Sequence, residues 1–443
     1  PIFSIYNEPV EVLKRSLRAI YDSGYPLQKL VVFITQEARV GESEYMQVIE
    51  YIKKLEWTNS YNINEKNLDI VYSKDHLEMD YTKSEFKNVK IENDKLNIIF
   101  TQHPDGLIGE IKGKASNEDW GARQVSLFVK SKDIDAQKVL ITSLDSDSRV
   151  GDNFFHMLSF RYCVTPDRLS CGFQPLPVYS NNFFEANLFP RLVATNTTIW
   201  HMIQYTLLDE LHFFANYSAP LPVLQKIDFW VREVIAEDNL LFAKCWASHD
   251  GNFRVVPFYG TFEGDAVDGG DYFETLLNQH KQLQRWAWGG IEGFPYKFKR
   301  FFIDKEGSKI DLRKRVRFLL QEFLNHFFWS TSPIVFSIIV FLPQIFASRD
   351  FRESPIQLNL WLFSQYFAWV SFIFLLISCY ICFRYIASKS LKHSKAGFHN
   401  WILIALQWIV SPSIFFFWGP PAIDAQLRGI FGKYLGYWVT PKK

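Results

Sequence analysis

Cysteine is scarce. The 443 residues hold five (Cys163, Cys171, Cys245, Cys379 and Cys382), and their spacing forms no zinc ligand set. Nothing in that spacing builds a disulfide framework, so a reducing compartment is expected for the soluble part. Cys379 and Cys382 stand CxxC-like inside an apolar stretch, where packing is expected rather than metal or redox chemistry. Charge of either sign is not in excess: 48 Lys and Arg face 47 Asp and Glu, so overall charge names no partner. The histidines form neither a Ser–His–Asp set nor a metal-ligand cluster, and no nucleic-acid motif or internal repeat is visible. An initiator Met and a signal peptide are also missing. Pro1 opens directly into Ile2-Phe3-Ser4-Ile5-Tyr6, which reads as the middle of a buried strand, so further N-terminal segments are expected upstream.

Aromatic residues, by contrast, make up 17% of the chain and crowd into its last third, as suits a bilayer interface. Three apolar blocks lie there, at about residues 328–346, 358–383 and 401–418. A hydrocarbon core of roughly 30 Å needs about 20 helical residues. The first two blocks meet that length; the third is shorter, contains Pro412 and is expected to be re-entrant or interfacial. Residues 296–327 carry a basic run (Lys297, Lys299, Arg300, Lys305, Lys309, Arg313, Lys314, Arg315, Arg317) and are expected to be interfacial helices meeting anionic lipid.

Residues 1–150 alternate strand and helix patterns. Strands are expected at 1–6, 29–34, 96–100 and 139–144, and helices at 10–23, 45–55 and 117–130. Such alternation predicts a mostly parallel α/β sheet. The polar stretch 59–95 breaks the pattern and reads as an insertion. The expected organisation is therefore an α/β domain over 1–295, basic helices over 296–327, a transmembrane region over 328–418 and an amphipathic tail over 419–443.

Four short segments carry candidate chemistry. Asp145-Ser146-Asp147 follows the apolar strand ending at Leu144. Two carboxylates at i and i+2 on a strand end can share one Mg²⁺ or Mn²⁺ with a diphosphate, although the same pattern occurs in solvated turns. Glu237-Asp238 precedes the apolar helix 240–246, so Asp238 is either a general base for an acceptor hydroxyl or a helix cap. Gln282, Arg285 and Trp286 share one helix face, where a guanidinium can grip a diphosphate and an indole can stack on a sugar. The plainer alternative is an interfacial helix with an Arg anchor. Lys114 stands before a helix, where it can meet a phosphate or point into solvent, with Asn117 as the helix cap.

In this order, the set Ile5–Glu8, Lys114–Asn117, Asp145–Asp147, Glu237-Asp238 and Gln282–Trp286 resembles the processive family 2 glycosyltransferases, to which cellulose synthase and hyaluronan synthase belong. The resemblance covers residues 1–290. It implies a GT-A fold and an inverting transfer in one displacement, with Mg²⁺ or Mn²⁺ as cofactor. Carried over, Tyr6, Glu8, Glu37, Lys114 and Asp145 would bind the nucleotide-sugar. Asp145 and Asp147 would hold the metal, Asp238 would be the base, and Gln282, Arg285 and Trp286 would hold diphosphate and acceptor. The family usually has Asp where Glu37 stands, which leaves a UDP- or GDP-sugar open. Phe214-Ala215-Asn216-Tyr217-Ser218 occupies the place of a Phe-Phe-Cys-Gly-Ser stretch of cellulose synthases and matches it only at its ends. Val439-Thr440-Pro441-Lys442 resembles a gating loop, whose Thr440 and Lys442 would cover the donor.

The resemblance implies an integral membrane protein with a cytosolic catalytic domain, a nucleotide-sugar donor, a polysaccharide or lipid-linked acceptor and no nucleic-acid partner. Two other readings compete with polysaccharide extension: transfer of a single sugar to a lipid, and an inactive membrane scaffold. The carboxylates Asp145, Asp147 and Asp238 stand against the scaffold.

Overall fold

The computed structural model describes residues 1–63, 70–72, 77–79, 85–304, 307–337, 342–390, 415–436 and 438. Its centre is a nine-stranded sheet. The strands are β1 (Ile2–Ile5), β2 (Val31–Glu37), β3 (Thr58–Asn62), β4 (Leu96–His103), β5 (Leu140–Leu144), β6 (Arg149–Val150), β7 (Cys171–Val178), β8 (Tyr217–Pro220) and β9 (Arg254–Glu263). Their order across the sheet is β3-β4-β2-β1-β5-β8-β7-β9-β6. The first five run parallel, β8 runs antiparallel to both neighbours, and β9 returns parallel to β7.

From Val32 onward every side chain of β2 is buried, as expected of a parallel strand covered on both faces. Its alternation sorts the core into two layers. Phe33 joins Ile2, Ile99, Trp120 and Phe128 on one face, while Val32 and Ile34 join Leu13, Leu17 and Ile49 on the other. The first layer is closed by α3 (Lys114–Ser131), the second by α1 (Val10–Tyr21) and α2 (Glu42–Lys53). The mostly parallel α/β sheet therefore forms as the strand–helix alternation implied.

Two local readings change. Thr58–Asn62 is not inserted into the fold but is the sheet's edge, paired in parallel with Leu96–Phe100. Asn117 does not cap α3. It lies inside the helix, and its Nδ2 donates to the carbonyls of Ile5 (3.2 Å) and Thr35 (3.0 Å), tying β1 to β2.

Beyond the sheet lie α4 (Phe154–Val164), α5 (Leu188–Gln204), α6 (Glu237–Ser248), α7 (Tyr272–Phe298), α8 (Leu312–Ser337), α9 (Pro355–Ser390) and α10 (Phe415–Ile430). The basic approach is divided between the end of α7, a helical turn at Lys299–Ile303 and the start of α8, and α8 runs on from Leu312 into the first apolar block; residues 338–341 lie outside the described set. The second block falls within α9. Among the described residues, Pro355–Ile386 is the helix long and apolar enough to cross a membrane, at 32 residues or about 48 Å. Its C-terminal end docks on the α/β body, where Cys382 and Ile386 are buried against Val178, Phe183 and Phe184. Most of the third block, 401–414, lies outside the described residues. Its last residues open α10, which packs Ala422 and Ala425 against Ala287 and Trp288 of α7.

Candidate active site

The parallel strands β1, β2, β4 and β5 deliver Tyr6, Glu37, His103 and Asp145 to one edge of the sheet, the edge where open α/β sheets bind ligands. At the left of that edge lies a cavity of about 60 Å³ lined by Glu37, Arg39, His103, Glu110, Lys112 and Ser116 among others. The Arg39 guanidinium pairs with Glu37 and lies 4.0 Å over the Tyr6 ring. Glu8 does not face outward: its carboxylate accepts the Tyr6 N–H at 2.7 Å and so fixes the turn after β1. His103 Nε2 and Glu110 Oε1 are 3.0 Å apart. Arg39, His103 and Glu110 escaped the sequence reading because no motif marks them.

At the centre, Lys114 joins two motifs. Its ammonium is 2.7 Å from Glu237, 2.9 Å from Asp145 and 3.5 Å from Glu118. Burial works against this ammonium, but Asp145, Glu118 and Glu237 outweigh it and hold Lys114 protonated well above the usual lysine range. Glu118 is itself pushed upward, chiefly by burial; it accepts hydrogen bonds from Ser143 and from Tyr217 (3.3 Å). Lys114 thus points inward to carboxylates and not into solvent.

Asp145 opens the turn after β5. Its N–H donates to Asn216 Oδ1 at 2.6 Å, and its carbonyl accepts from Ser148 N at 2.9 Å. Asn181 Nδ2 donates to the Asp147 carbonyl at 3.3 Å. Among the described residues no three His, Cys, Asp or Glu side chains converge as a metal cage. Two carboxylates on one tight turn nevertheless fit a hard divalent cation that takes its remaining oxygen ligands from a diphosphate and water. Both also act on one half-buried phenol. Burial, Asp145 and Asp147 push the Tyr179 hydroxyl up from its ordinary value, while Arg285 pulls it down. Gln282 and Trp286 line the same recess as Tyr179, together with Asp265 and Val193.

Asp238 sits in the first turn of α6. The helix has Ala236 at its N-cap with no side-chain cap bond. Asp238 Oδ2 accepts from Ala215 N at 3.1 Å and Oδ1 from Asn239 N at 2.7 Å. Burial and then Glu237 raise its carboxyl to about 6, against the pull of Lys114 and the two amide bonds. A carboxylate poised near 6 is ionised at neutral pH yet basic enough to take a proton from a hydroxyl. Ala215 presents its amide from a left-handed backbone (φ 47°), and Asn216 beside it holds Asp145. The segment that departs from the cellulose synthase pattern therefore physically bridges Asp238 and the Asp145–Asp147 turn.

Of the tail, Trp438 lies beside α7, with Lys281 Nζ 5.2 Å from its ring centre. Thr440 and Lys442 lie outside the described residues.

Asp145, Asp147, Lys114 and Asp238 thus gather at one end of a mixed α/β sheet. Residues 140–386 match the family described as Glycosyl transferase family group 2, and the chain belongs to that family. Among solved structures, the chain is similar to the mannosyltransferase PcManGT from Pyrobaculum calidifontis in complex with GDP-Man and Mn²⁺, at 12% identity over 98% of this chain and 87% of that one, TM-score 0.46. It is also similar to TarS residues 1–349 from S. aureus, at 12% identity over 77% of this chain and 75% of that one, TM-score 0.39. The same TarS fragment with UDP-GlcNAc aligns at 12% identity over 72% and 80% of the two chains, TM-score 0.34. No curated protein matches the chain in sequence.

Proposed function

We propose that the chain is an inverting hexosyltransferase that moves a sugar from a UDP- or GDP-sugar onto a growing polysaccharide. The observation that carries this reading is the cluster Asp145–Lys114–Glu237, with Asp238 beside Glu237. It couples a diphosphate-side carboxylate to a base within one set of contacts. Tyr6, Glu37 and Arg39 receive the nucleotide base, and Asp145 and Asp147 would hold a divalent cation. Mg²⁺ or Mn²⁺ bound there would offset negative charge on the leaving nucleoside diphosphate.

In the transfer, an acceptor hydroxyl oxygen attacks the anomeric carbon from the face opposite the diphosphate. Its proton passes to an oxygen of Asp238, and the bond from the anomeric carbon to the diphosphate oxygen breaks. Arg285 shares the charge left on the diphosphate, and Trp286 offers its indole face to the acceptor sugar. Asp147→Asn, and chelation of the intact enzyme with EDTA, are each expected to abolish transfer; full activity in EDTA would contradict the cation role.

The catalytic domain is assigned to the cytosol, where the donor is made, and the C-terminal helices to the membrane, with product export across it. The other acceptor, a lipid receiving a single sugar, is separated by product length. Chains of many sugars from membranes given one donor support extension, whereas one sugar per lipid supports the alternative.

A further inference from the structure

Behind Asp238 lies a charged network that no motif marks. Lys297, near the end of α7, is fully buried and 2.9 Å from Glu322 of α8, which is itself 7% exposed at its side chain. Both bind Asn239, the residue after Asp238. Lys297 Nζ donates to Asn239 Oδ1 at 2.7 Å, and Asn239 Nδ2 donates to Glu322 Oε1 at 2.7 Å. Three helices thus meet at one amide side chain in the first turn of α6.

The same helix α7 holds the segment just before the base. Glu292 Oε2 accepts from Ile235 N at 2.8 Å and Ala236 N at 3.3 Å. Glycines permit this closeness. A Cβ on Gly289 would meet Ala236 at 3.1 Å, and one on Gly293 would meet Glu322 at 3.2 Å and Asn239 at 3.3 Å. The middle of α7 carries Gln282, Arg285 and Trp286. One rigid helix therefore bears the diphosphate-side residues and grips the base segment at residues 235, 236 and 239.

We propose that Lys297, Glu322 and Asn239 are positioning residues for the transfer: a buried ion pair that clamps the first turn of α6 between α7 and α8, fixes Asp238 against the residues of α7, and keeps a positive charge behind it. This inference rests on Asp238 being the base. A buried ion pair is a poor source of stability, since apolar residues of similar volume often serve as well, so its retention between three helices fits a demand for register. Burial disfavours the Glu322 carboxylate, but Lys297 and then His326 outweigh it and hold Glu322 well below the usual range. Burial pulls Lys297 below its ordinary value, with Glu322 and Asp238 opposing that pull. The charged groups facing Asp238 are Glu237 on its own helix, Lys114 from α3 and Lys297 from α7, with Glu292 close to Glu237. His212 and His326 flank the pair from the far side.

The test uses the full chain in detergent, with release of nucleotide measured from the UDP- or GDP-hexose that the unaltered protein turns over. Lys297→Met alone strands a buried carboxylate and threatens folding. The informative variants are therefore Asn239→Ala, which leaves the ion pair intact, and the double variant Lys297→Met/Glu322→Leu, which removes both charges together. Each is expected to lower kcat roughly tenfold or more with the donor KM little changed, because geometry and not donor binding is lost. In the double variant the acidic limb of the kcat profile moves to higher pH by about half a unit or more, since the nearer positive charge is gone and the ionised base is less favoured. Hydrogen exchange over residues 235–242 should rise in both. A double variant with unaltered kcat and unaltered acidic limb overturns the proposal. Asp238→Asn is run beside them: if it retains turnover, the base assignment fails and the proposal falls with it. If it is inactive while the double variant behaves as the unaltered protein, the positioning role alone is refuted.

Discussion

Asp238 suits the proposed role of base because two effects oppose each other on one carboxylate. Burial and Glu237 raise it, while Lys114 and two backbone amides limit the rise, leaving it at about 6. The consequence for pH is direct. Above about 6 the carboxylate is ionised and accepts a proton; as pH falls through about 6 it fills and turnover declines. A kcat profile on the unaltered protein should show that acidic limb, and a profile flat down to pH 4.5 would remove Asp238 from the role. Lys114 makes the complementary contribution. Lys114→Met leaves Asp145, Glu118 and Glu237 facing one another without a counter-charge. Loss of turnover with a lowered Tm is expected, and a Tm and kcat equal to those of the unaltered protein would show the cluster to be incidental. At this scale, Asp145, Asp147 and Asp238 stood out in sequence as candidates only through their order along the chain, since spacing alone left a solvated turn and a helix cap open. Tyr179, Asn216, Lys297 and Glu322 did not stand out, since each gains its meaning from a partner brought near by the fold.

Elements were legible where burial imposes a period. β2 and β4 read as apolar runs because helices cover both their faces, and α1 shows its buried side at helical spacing. Thr58–Asn62 was missed because an edge strand of polar residues, Thr-Asn-Ser-Tyr-Asn, has no apolar face to announce it. Asn117 was misplaced for a related reason: an Asn near a helix start suggests a cap, yet here its amide is spent on strands β1 and β2. The join of α7 to α8 also turns on one position. A Cβ on Gly290 would come within 2.4 Å of the His326 ring. Gly290→Ala should therefore force α8 away and destabilise the protein by about 1–3 kcal/mol, despite the helix propensity it gains. An unchanged or raised Tm would show that α8 does not seat where described.

At the scale of the whole molecule, α9 is the segment whose length and composition suit a bilayer, and its docking on Val178, Phe183 and Phe184 ties that segment to the catalytic body. The tail was legible as a motif but not as a position, because Val439-Thr440-Pro441-Lys442 says nothing of which side of a membrane it occupies. Trp438 beside Lys281 brings the tail's approach to α7, the helix that also carries Arg285. A cysteine at Lys443 should therefore stay unlabelled by a membrane-impermeant thiol reagent applied to intact cells. Lys442→Ala should raise the donor KM or lower kcat, and external labelling of the cysteine would exclude a gating role. The central claim is that this chain breaks the bond between sugar and nucleotide with Asp238 as base. It is tested most directly by nucleotide release from a panel of UDP- and GDP-hexoses with Mg²⁺ or Mn²⁺, comparing the unaltered protein with Asp238→Asn. The account predicts acceptor-dependent release from at least one donor and a roughly 10²–10⁴-fold loss in Asp238→Asn with donor binding retained; release that survives the substitution, or none from any donor, would contradict it.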